Sequence, residues 1–121
     1  MKELELKWEV DISGEKYFNF YDNEVSKIDD EINGIYIIWL PEHNPRSVIK
    51  VGQGNIKNRL QNHLRDDAIA KYKLNSKMVF SWAKVNLNQC GGVENYLGEL
   101  LKPREGERYS DDPPIKVNLP F

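Results

Sequence analysis

The chain has 121 residues and a formal net charge of −2. This length predicts one domain over residues 1–121, and the single cysteine, Cys90, excludes an internal disulfide and a cysteine-based metal cluster. The sequence has no apolar run long enough to span a membrane and no signal-peptide pattern, so we expect a cytoplasmic protein with Cys90 as a small buried side chain.

The first part of the chain predicts a β-hairpin. Apolar residues alternate with charged ones, as in a half-buried strand, at Leu4, Leu6, Trp8 and Val10. Ser13-Gly14 predicts a turn, and the aromatic stretch at 16–21 predicts a second strand. We therefore expect a hairpin over residues 3–21 within an N-terminal extension, residues 1–32, and a short helix within residues 23–31.

A second hairpin is predicted at the centre of the chain. Residues 35–40 are a continuous apolar run of β-forming residues, which is typical of a buried strand. Residues 41–46 predict a loop, and residues 47–51 predict an antiparallel partner strand. The sequence Gly52-Gln53-Gly54-Asn55 predicts the end of that strand, with Asn55 as the cap of a following helix.

Two helices and another strand are predicted after this hairpin. The first helix has a buried stripe of Ile56, Leu60 and Leu64. Residues 77–85 alternate as a strand. A second helix is expected after Gly91-Gly92 and before Pro103, with Glu94 in its first turn, where the helix dipole favours a carboxylate. Its apolar stripe consists of Val93, Tyr96, Leu97, Leu100 and Leu101.

The order of these elements predicts the α+β class. The expected architecture is a small antiparallel β-sheet flanked by helices, with the N-terminal hairpin added to it. The apolar residues at the end of the tail, up to Phe121, are expected to dock on the core.

Several residues with chemical or backbone roles occur in a particular order along these elements. They are Gly34-Ile35-Tyr36, Lys50-Val51-Gly52, Arg59, His63, Glu94 and Asn118. This order resembles the signature of the GIY-YIG nuclease superfamily, with Lys50 in the place of the second motif tyrosine. The resemblance covers residues 33–101 and includes Asn118, and it implies a GIY-YIG endonuclease-like core over residues 33–121.

The resemblance also implies a role for each matching residue. Glu94 would be the single protein ligand of one Mg²⁺ or Mn²⁺ ion, a number of ligands that suits a cation that keeps much of its water shell. Gly34, Gly52 and Asn118 would support the site. The catalytic residues would be Tyr36, Lys50, Arg59, His63 and Glu94.

The chemistry of these side chains agrees with phosphodiester hydrolysis. A free phenol has a pKa of about 10, so Tyr36 needs a cationic neighbour to act as a base. Lys50 provides one if the strands pair so that Tyr36 faces Lys50, and a slip of one residue would separate them. Lys50 could instead bind phosphate or act as the base itself. Arg59 and His63 are spaced i, i+4 and share a helix face, from which a guanidinium can bind phosphate oxygens.

The charge distribution gives this motif a basic setting. Residues 1–45 hold four Lys or Arg against eleven acids, a balance of −7, whereas residues 46–84 hold nine against two, a balance of +7. A basic block attracts phosphate, although it could also be a solvated surface without a partner. The residues expected to contact nucleic acid are Lys50, Lys57, Arg59 and Arg65.

The leading hypothesis is a divalent-metal-dependent endonuclease that hydrolyses DNA phosphodiester bonds, with RNA as the other candidate nucleic acid. The alternatives are a non-cleaving nucleic-acid-binding module of the same fold, or a scaffold that binds protein through the acidic N-terminal segment. The chain has no room for a separate recognition domain. A protein partner could therefore supply target specificity.

Overall fold

A four-stranded antiparallel sheet forms the centre of the computed structural model, which describes residues 2–11, 13–43, 47–73, 77–106 and 111–121. Its strand order is β2-β5-β3-β4. A second sheet pairs β1 with β6 in parallel. The strands are β1 (Lys2–Leu4), β2 (Phe18–Asn19), β3 (Asn33–Leu40), β4 (Ser47–Asn55), β5 (Val79–Lys84) and β6 (Ile115–Val117). The α+β class and the antiparallel sheet flanked by helices are confirmed.

The predicted central hairpin is confirmed, but its second strand is longer than expected. β4 continues through the two glycines, since Gly52 pairs with Tyr36 and Gly54 pairs with Gly34. The predicted strand end at Gly52 was therefore wrong. Glycine weakens a strand locally, but here the complete ladder to β3 holds the segment extended. Of the predicted loop 41–46, residues 44–46 lie outside the described residues.

Helices cover both faces of the central sheet, and we name each face by its principal helix. On the α1 face lie α1 (Ile56–Leu64) and α2 (Asp67–Ala70), and on the α3 face lies α3 (Leu87–Leu101). Alternate residues of β3 supply both hydrophobic clusters. The α1 face takes Tyr36, Ile38 and Leu40, and the α3 face takes Ile35, Ile37 and Trp39.

Helix α1 begins directly at the end of β4. The side chain of Asn55 accepts a hydrogen bond from the main-chain N–H of Asn58 at 3.0 Å, which confirms the predicted cap. Ile56 and Leu60 are completely buried and Leu64 is half-buried, so the predicted stripe faces the sheet. Because α1 follows β4 without a connecting loop, the polar residues of its first turns lie close to the end of β4.

Helix α3 begins earlier than the sequence predicted. It starts at Leu87, so Gly91 and Gly92 lie inside it and not before it. A side chain at residue 92 would approach the carbonyl oxygen of Pro113 within 2.6 Å, so glycine allows the tail to pass close to the helix. This close approach compensates for the low helix propensity of glycine. The helix ends at Leu101, and Lys102 adopts a left-handed conformation just before Pro103, as expected for the stop.

The predicted N-terminal hairpin is wrong. β1 pairs with β6, and β2 pairs with β5, so the two halves of the segment have partners elsewhere in the chain. The turn at Ser13-Gly14 does form, since Gly14 N–H donates to the Asp11 carbonyl at 3.0 Å. A short 3₁₀ helix forms at Val25–Lys27, within the range where a short helix was predicted. Local alternation indicates a strand but does not identify its partner.

The tail docks on the core as predicted. The ring of Phe121 lies 4.7 Å from the ring of Trp39, measured between centroids. Cys90 is completely buried on the same face. Within the described ranges, none of the helices combines the length and the apolar character needed to cross a membrane.

Candidate functional site

Tyr36 and His63 form the centre of the candidate site on the α1 face. The Tyr36 side chain leaves the buried strand β3, and its hydroxyl oxygen lies 2.6 Å from His63 Nε2. The tyrosine donates this hydrogen bond when Nε2 is unprotonated, and the imidazole donates it otherwise. Tyr36 is 2% exposed and His63 is half-buried. This arrangement allows a proton to pass between a phenol and an imidazole at the edge of the solvent.

Gly52 makes room for the Tyr36 hydroxyl. It lies directly opposite Tyr36 in the β3–β4 ladder. A Cβ atom at residue 52 would overlap with the hydroxyl oxygen and with Cζ of Tyr36. The phenol ring can therefore cross β4 toward α1 only because residue 52 has no side chain. Gly52 thus shapes the surroundings of Tyr36 through packing and not through a turn, and the supporting role that the resemblance implies for it stays a prediction.

Lys50 lies on the same face as Tyr36, but not directly opposite it. The strand register pairs Lys50 with Ile38, so Lys50 and Tyr36 are diagonal neighbours. The expected direct pairing is thus displaced by two residues, which keeps both side chains on one face. The register shifts between Ile38 and Trp39, where β4 has one additional residue, Ile49. Lys50 is 9% exposed, which is unusual for a lysine.

Arg59 lies beside the end of β4. A Cβ atom at Gly54 would be 3.3 Å from Arg59 Nε, so the arginine side chain lies against this glycine. Gly54 has a φ of +118°, a conformation that favours glycine. Arg59 is exposed and is one helical turn before His63. The guanidinium is therefore available at the solvent side of the Tyr36–His63 pair.

Glu94 lies on α3, the helix that packs on the face of the sheet opposite α1. It is half-buried and lies in the middle of α3, so the expected position in the first turn was wrong. Burial raises the pKa of the Cys90 thiol, the negative charge of Glu94 raises it further, and the Gly54 backbone N–H lowers it. Cys90 is one turn before Glu94. Gly54 is thus a common neighbour of Arg59 and of the helical turn that carries Glu94.

The resemblance assigns the metal ion to a single carboxylate, that of Glu94. Among the described residues, no group of three or more His, Cys, Asp or Glu side chains is placed to hold a metal ion. One carboxylate with water and substrate oxygens is the kind of environment that Mg²⁺ accepts. The half-buried carboxylate of Glu94 has the chemistry for this role.

The other expected nucleic-acid contacts lie on α1 and at its end. Lys57 Nζ is 2.9 Å from an oxygen of Asp30, which is a largely exposed carboxylate. Such surface pairs contribute little to stability, so a phosphate can replace the carboxylate. Arg65 is exposed at the C-cap of α1. Arg46, which belongs to the basic block, lies outside the described residues.

Two of the supporting residues hold other parts of the fold. A Cβ atom at Gly34 would overlap with the carbonyl oxygen of Ala83, so this glycine permits the close approach of β3 and β5. The Asn118 side chain accepts from Leu6 N–H at 2.6 Å and donates to the Leu6 carbonyl at 2.9 Å. These two bonds hold the N-terminal segment, and the supporting role that the resemblance implies for Asn118 at the site stays a prediction.

One cation that the sequence did not single out also reaches the α1 face. Arg104 Nε donates a hydrogen bond to Ser47 Oγ at 2.5 Å, at the start of β4. Arg104 lies outside the basic block, after α3, and no local pattern marks it. Its placement depends on a contact between residues that are far apart in the sequence, so composition and periodicity could not reveal it.

No protein-family model, no curated protein and no solved structure matches this chain. The resemblance to the GIY-YIG superfamily therefore depends on the motif residues themselves.

Proposed function

We propose that this protein is a divalent-metal-dependent endonuclease that hydrolyses DNA phosphodiester bonds through a GIY-YIG-like site. The observation that carries the proposal is the 2.6 Å hydrogen bond between the Tyr36 hydroxyl and His63 Nε2, with Arg59 one turn from His63 on the same helix. A phenol bonded to an imidazole, beside an exposed guanidinium, is suited to activating water next to a bound phosphate.

In the proposed reaction, the Tyr36–His63 pair removes a proton from the attacking water. The imidazole takes the phenol proton while the phenolate oxygen accepts the proton of the water. The water oxygen then forms a bond to phosphorus, and the bond from phosphorus to the leaving oxygen breaks. His63 near the solvent can release its proton after each cycle.

Two cations stabilise the charge that develops on the phosphate. Arg59 presents a planar fork of N–H groups to the non-bridging oxygens. Lys50, diagonal to Tyr36 on the same face, adds a positive charge in a buried setting where electrostatic interactions are strong. Glu94 would hold one Mg²⁺ or Mn²⁺ ion, and this ion would supply positive charge at the leaving oxygen.

A plasmid-nicking assay with Mg²⁺ or Mn²⁺ tests the proposal. Tyr36→Phe removes the hydroxyl and is expected to lower the rate by about 10²- to 10⁴-fold, the usual size of a general-base effect. Glu94→Gln is expected to abolish metal-dependent cleavage, because it removes the carboxylate that would hold the ion. Each variant has a matched control, namely Tyr17→Phe, a half-buried tyrosine that packs on the α3-face cluster, and Glu99→Gln, an exposed glutamate on α3.

The outcomes separate the alternatives. Cleavage that falls in both site variants and is retained in both controls supports the endonuclease. An absence of cleavage with either metal, together with salt-dependent DNA binding, indicates the non-cleaving module. A failure to bind DNA or RNA at low salt indicates the protein-binding scaffold.

A further inference from the structure

The segment after α3 lies along the outer edge of β4. The main-chain N–H of Arg104 donates to the Val48 carbonyl at 3.0 Å, and that of Glu105 donates to the Ile49 carbonyl at 2.8 Å. β4 is the last strand of the central sheet, so these bonds extend the sheet by a short piece of chain. Arg104 is therefore fixed to β4 through its own backbone.

The side chain of Arg104 crosses from this edge to the α1 face. Ser47 pairs with Leu40, and directly paired residues project to the same side of a sheet. Because Leu40 packs in the cluster of the α1 face, Ser47 projects there too. The bond from Arg104 Nε to Ser47 Oγ therefore brings the guanidinium to the face that carries Tyr36. This bond uses one of five N–H donors, and Arg104 is exposed.

Three cations are thus distributed along β4 on one face. Arg104 lies at Ser47, Lys50 lies within the strand, and Arg59 lies against Gly54. At about 3.3 Å per residue, and with some shortening at the irregularity, the strand from Ser47 to Gly54 spans roughly 20 Å. A length of this size can run beside several successive phosphates of one DNA strand.

The acid next to Arg104 does not cancel this positive charge. Glu105 Oε1 lies 3.5 Å from Lys71 Nζ, so a second cation already faces it. The segment and its neighbours on β4 therefore keep an excess of positive charge beside the start of the strand.

We infer that Arg104 contacts the phosphate backbone of DNA, and that the bound strand follows β4 from Arg59, past Lys50, to Arg104. The inference rests on the proposed function for the identity of the ligand as DNA. What the inference adds is the path of the bound DNA strand along β4 and the contact with Arg104 at the end of that path. A guanidinium anchored through Nε keeps its terminal N–H groups for phosphate oxygens.

The salt dependence of DNA binding tests this inference. Fluorescence anisotropy of a labelled 20-base-pair duplex, without divalent metal to prevent cleavage, gives the affinity over a series of salt concentrations. For Arg104→Gln we expect the slope of log K against log salt to fall by about one, and the affinity near 0.1 M salt to fall about threefold to tenfold. Lys116→Gln is the matched control, because it removes one exposed charge on β6, away from β4.

A second variant, Ser47→Ala, makes the test independent of whether Arg104→Gln folds. It keeps the charge of Arg104 but removes the hydroxyl that anchors its guanidinium. We therefore expect a smaller loss of DNA affinity than in Arg104→Gln, with an unchanged salt slope. The inference would be overturned if the parent protein binds DNA and both Arg104→Gln and Lys116→Gln show the same salt slope as the parent. The proposed function would still stand in that case. A parent protein that does not bind DNA at low salt would overturn the proposed function, and the inference with it.

Discussion

At the scale of single residues, the hydroxyl of Tyr36 is held by two neighbours with different roles. His63 binds the hydroxyl, and Gly52 leaves the space that the phenol ring occupies. A larger residue at 52 would force the ring away from α1. The geometry of the Tyr36–His63 pair therefore depends both on their hydrogen bond and on the absence of a side chain at residue 52.

Gly52→Ala should damage both stability and chemistry. The new methyl group overlaps with Tyr36, and such overpacking costs about 1–3 kcal/mol. Urea unfolding should show the loss as a lower midpoint with an unchanged m-value. In a Tyr36→Val background the overlapping atoms are missing, so the same substitution should cost much less. An equal cost in both backgrounds would show that the ring does not occupy this space.

The single cysteine reports on the position of Glu94. With ¹³Cβ-labelled cysteine, the protein should give one Cys90 resonance, and this resonance should titrate at a higher pH than a free thiol because burial and Glu94 both raise the pKa of Cys90. In Glu94→Gln the titration should move to lower pH, whereas Glu99→Gln should leave it unchanged. An unaltered titration in Glu94→Gln would place Glu94 away from Cys90.

The raised pKa of Cys90 also predicts the sign of a pH effect on stability. Above the pKa of a free thiol, the unfolded chain loses this proton while the folded chain keeps it. The contribution of Cys90 to stability is therefore complete below that pKa and declines as the pH rises through the alkaline range.

At the scale of secondary structure, local sequence predicted the elements better than their partners. The β3–β4 hairpin, the α1 cap at Asn55 and the end of α3 before Pro103 followed from side-chain spacing and backbone chemistry. The start of α3 and the end of β4 did not, because glycines that usually interrupt an element are retained here where other chain segments approach closely. The N-terminal pairing failed because alternation does not specify a partner strand.

The candidate site was predictable to a similar extent. The motif predicted Tyr36, Arg59, His63 and Glu94 as site residues. The structure brings the first three to one face, whereas Glu94 lies on α3, on the other face of the sheet. The offset of Lys50 depends on a register irregularity that lies next to the loop, and the loop length alone could not show it. The resemblance predicted a role for Asn118, but its side-chain hydrogen bonds are with Leu6, and its carbonyl accepts one from the indole N–H of Trp8.

The Asn118–Leu6 pairing should matter for stability more than for cleavage. Asn118→Ala leaves the N–H and C=O of Leu6 without these partners, which typically costs about 1–3 kcal/mol. Hydrogen exchange of the Leu6 amide should become faster, while nicking below the unfolding temperature should persist. Asn95→Ala is a suitable control, since Asn95 also binds the tail, through Asp112, but at an exposed position. Loss of nicking with an unchanged Leu6 amide would instead assign Asn118 to the site.

At the scale of the whole molecule, the acidic N-terminal part of the sequence packs on both faces of the central sheet. Leu6 and Trp8 belong to the cluster of the α3 face, whereas Phe20, Val25 and Ile28 belong to that of the α1 face. On the α1 side, Asp30 lies close enough to α1 to pair with Lys57. A net charge of −2 does not exclude a basic surface at the proposed site, because the local field depends on the charges nearest to it and not on the sum over the chain.

The hydrogen bond between Leu6 and Asn118 joins positions that are 112 residues apart, whereas β3 and β4 are joined by a connection of a few residues. The entropy of closing a flexible loop grows with the logarithm of its length, which makes the long closure costlier by about 2–3 kcal/mol. During folding, the short hairpin with Tyr36 and Gly52 can therefore form while the two ends of the chain are still apart. Tyr36 and Gly52 therefore belong to the part of the fold with the lower cost of loop closure, and the contact between Leu6 and Asn118 belongs to the part with the higher cost.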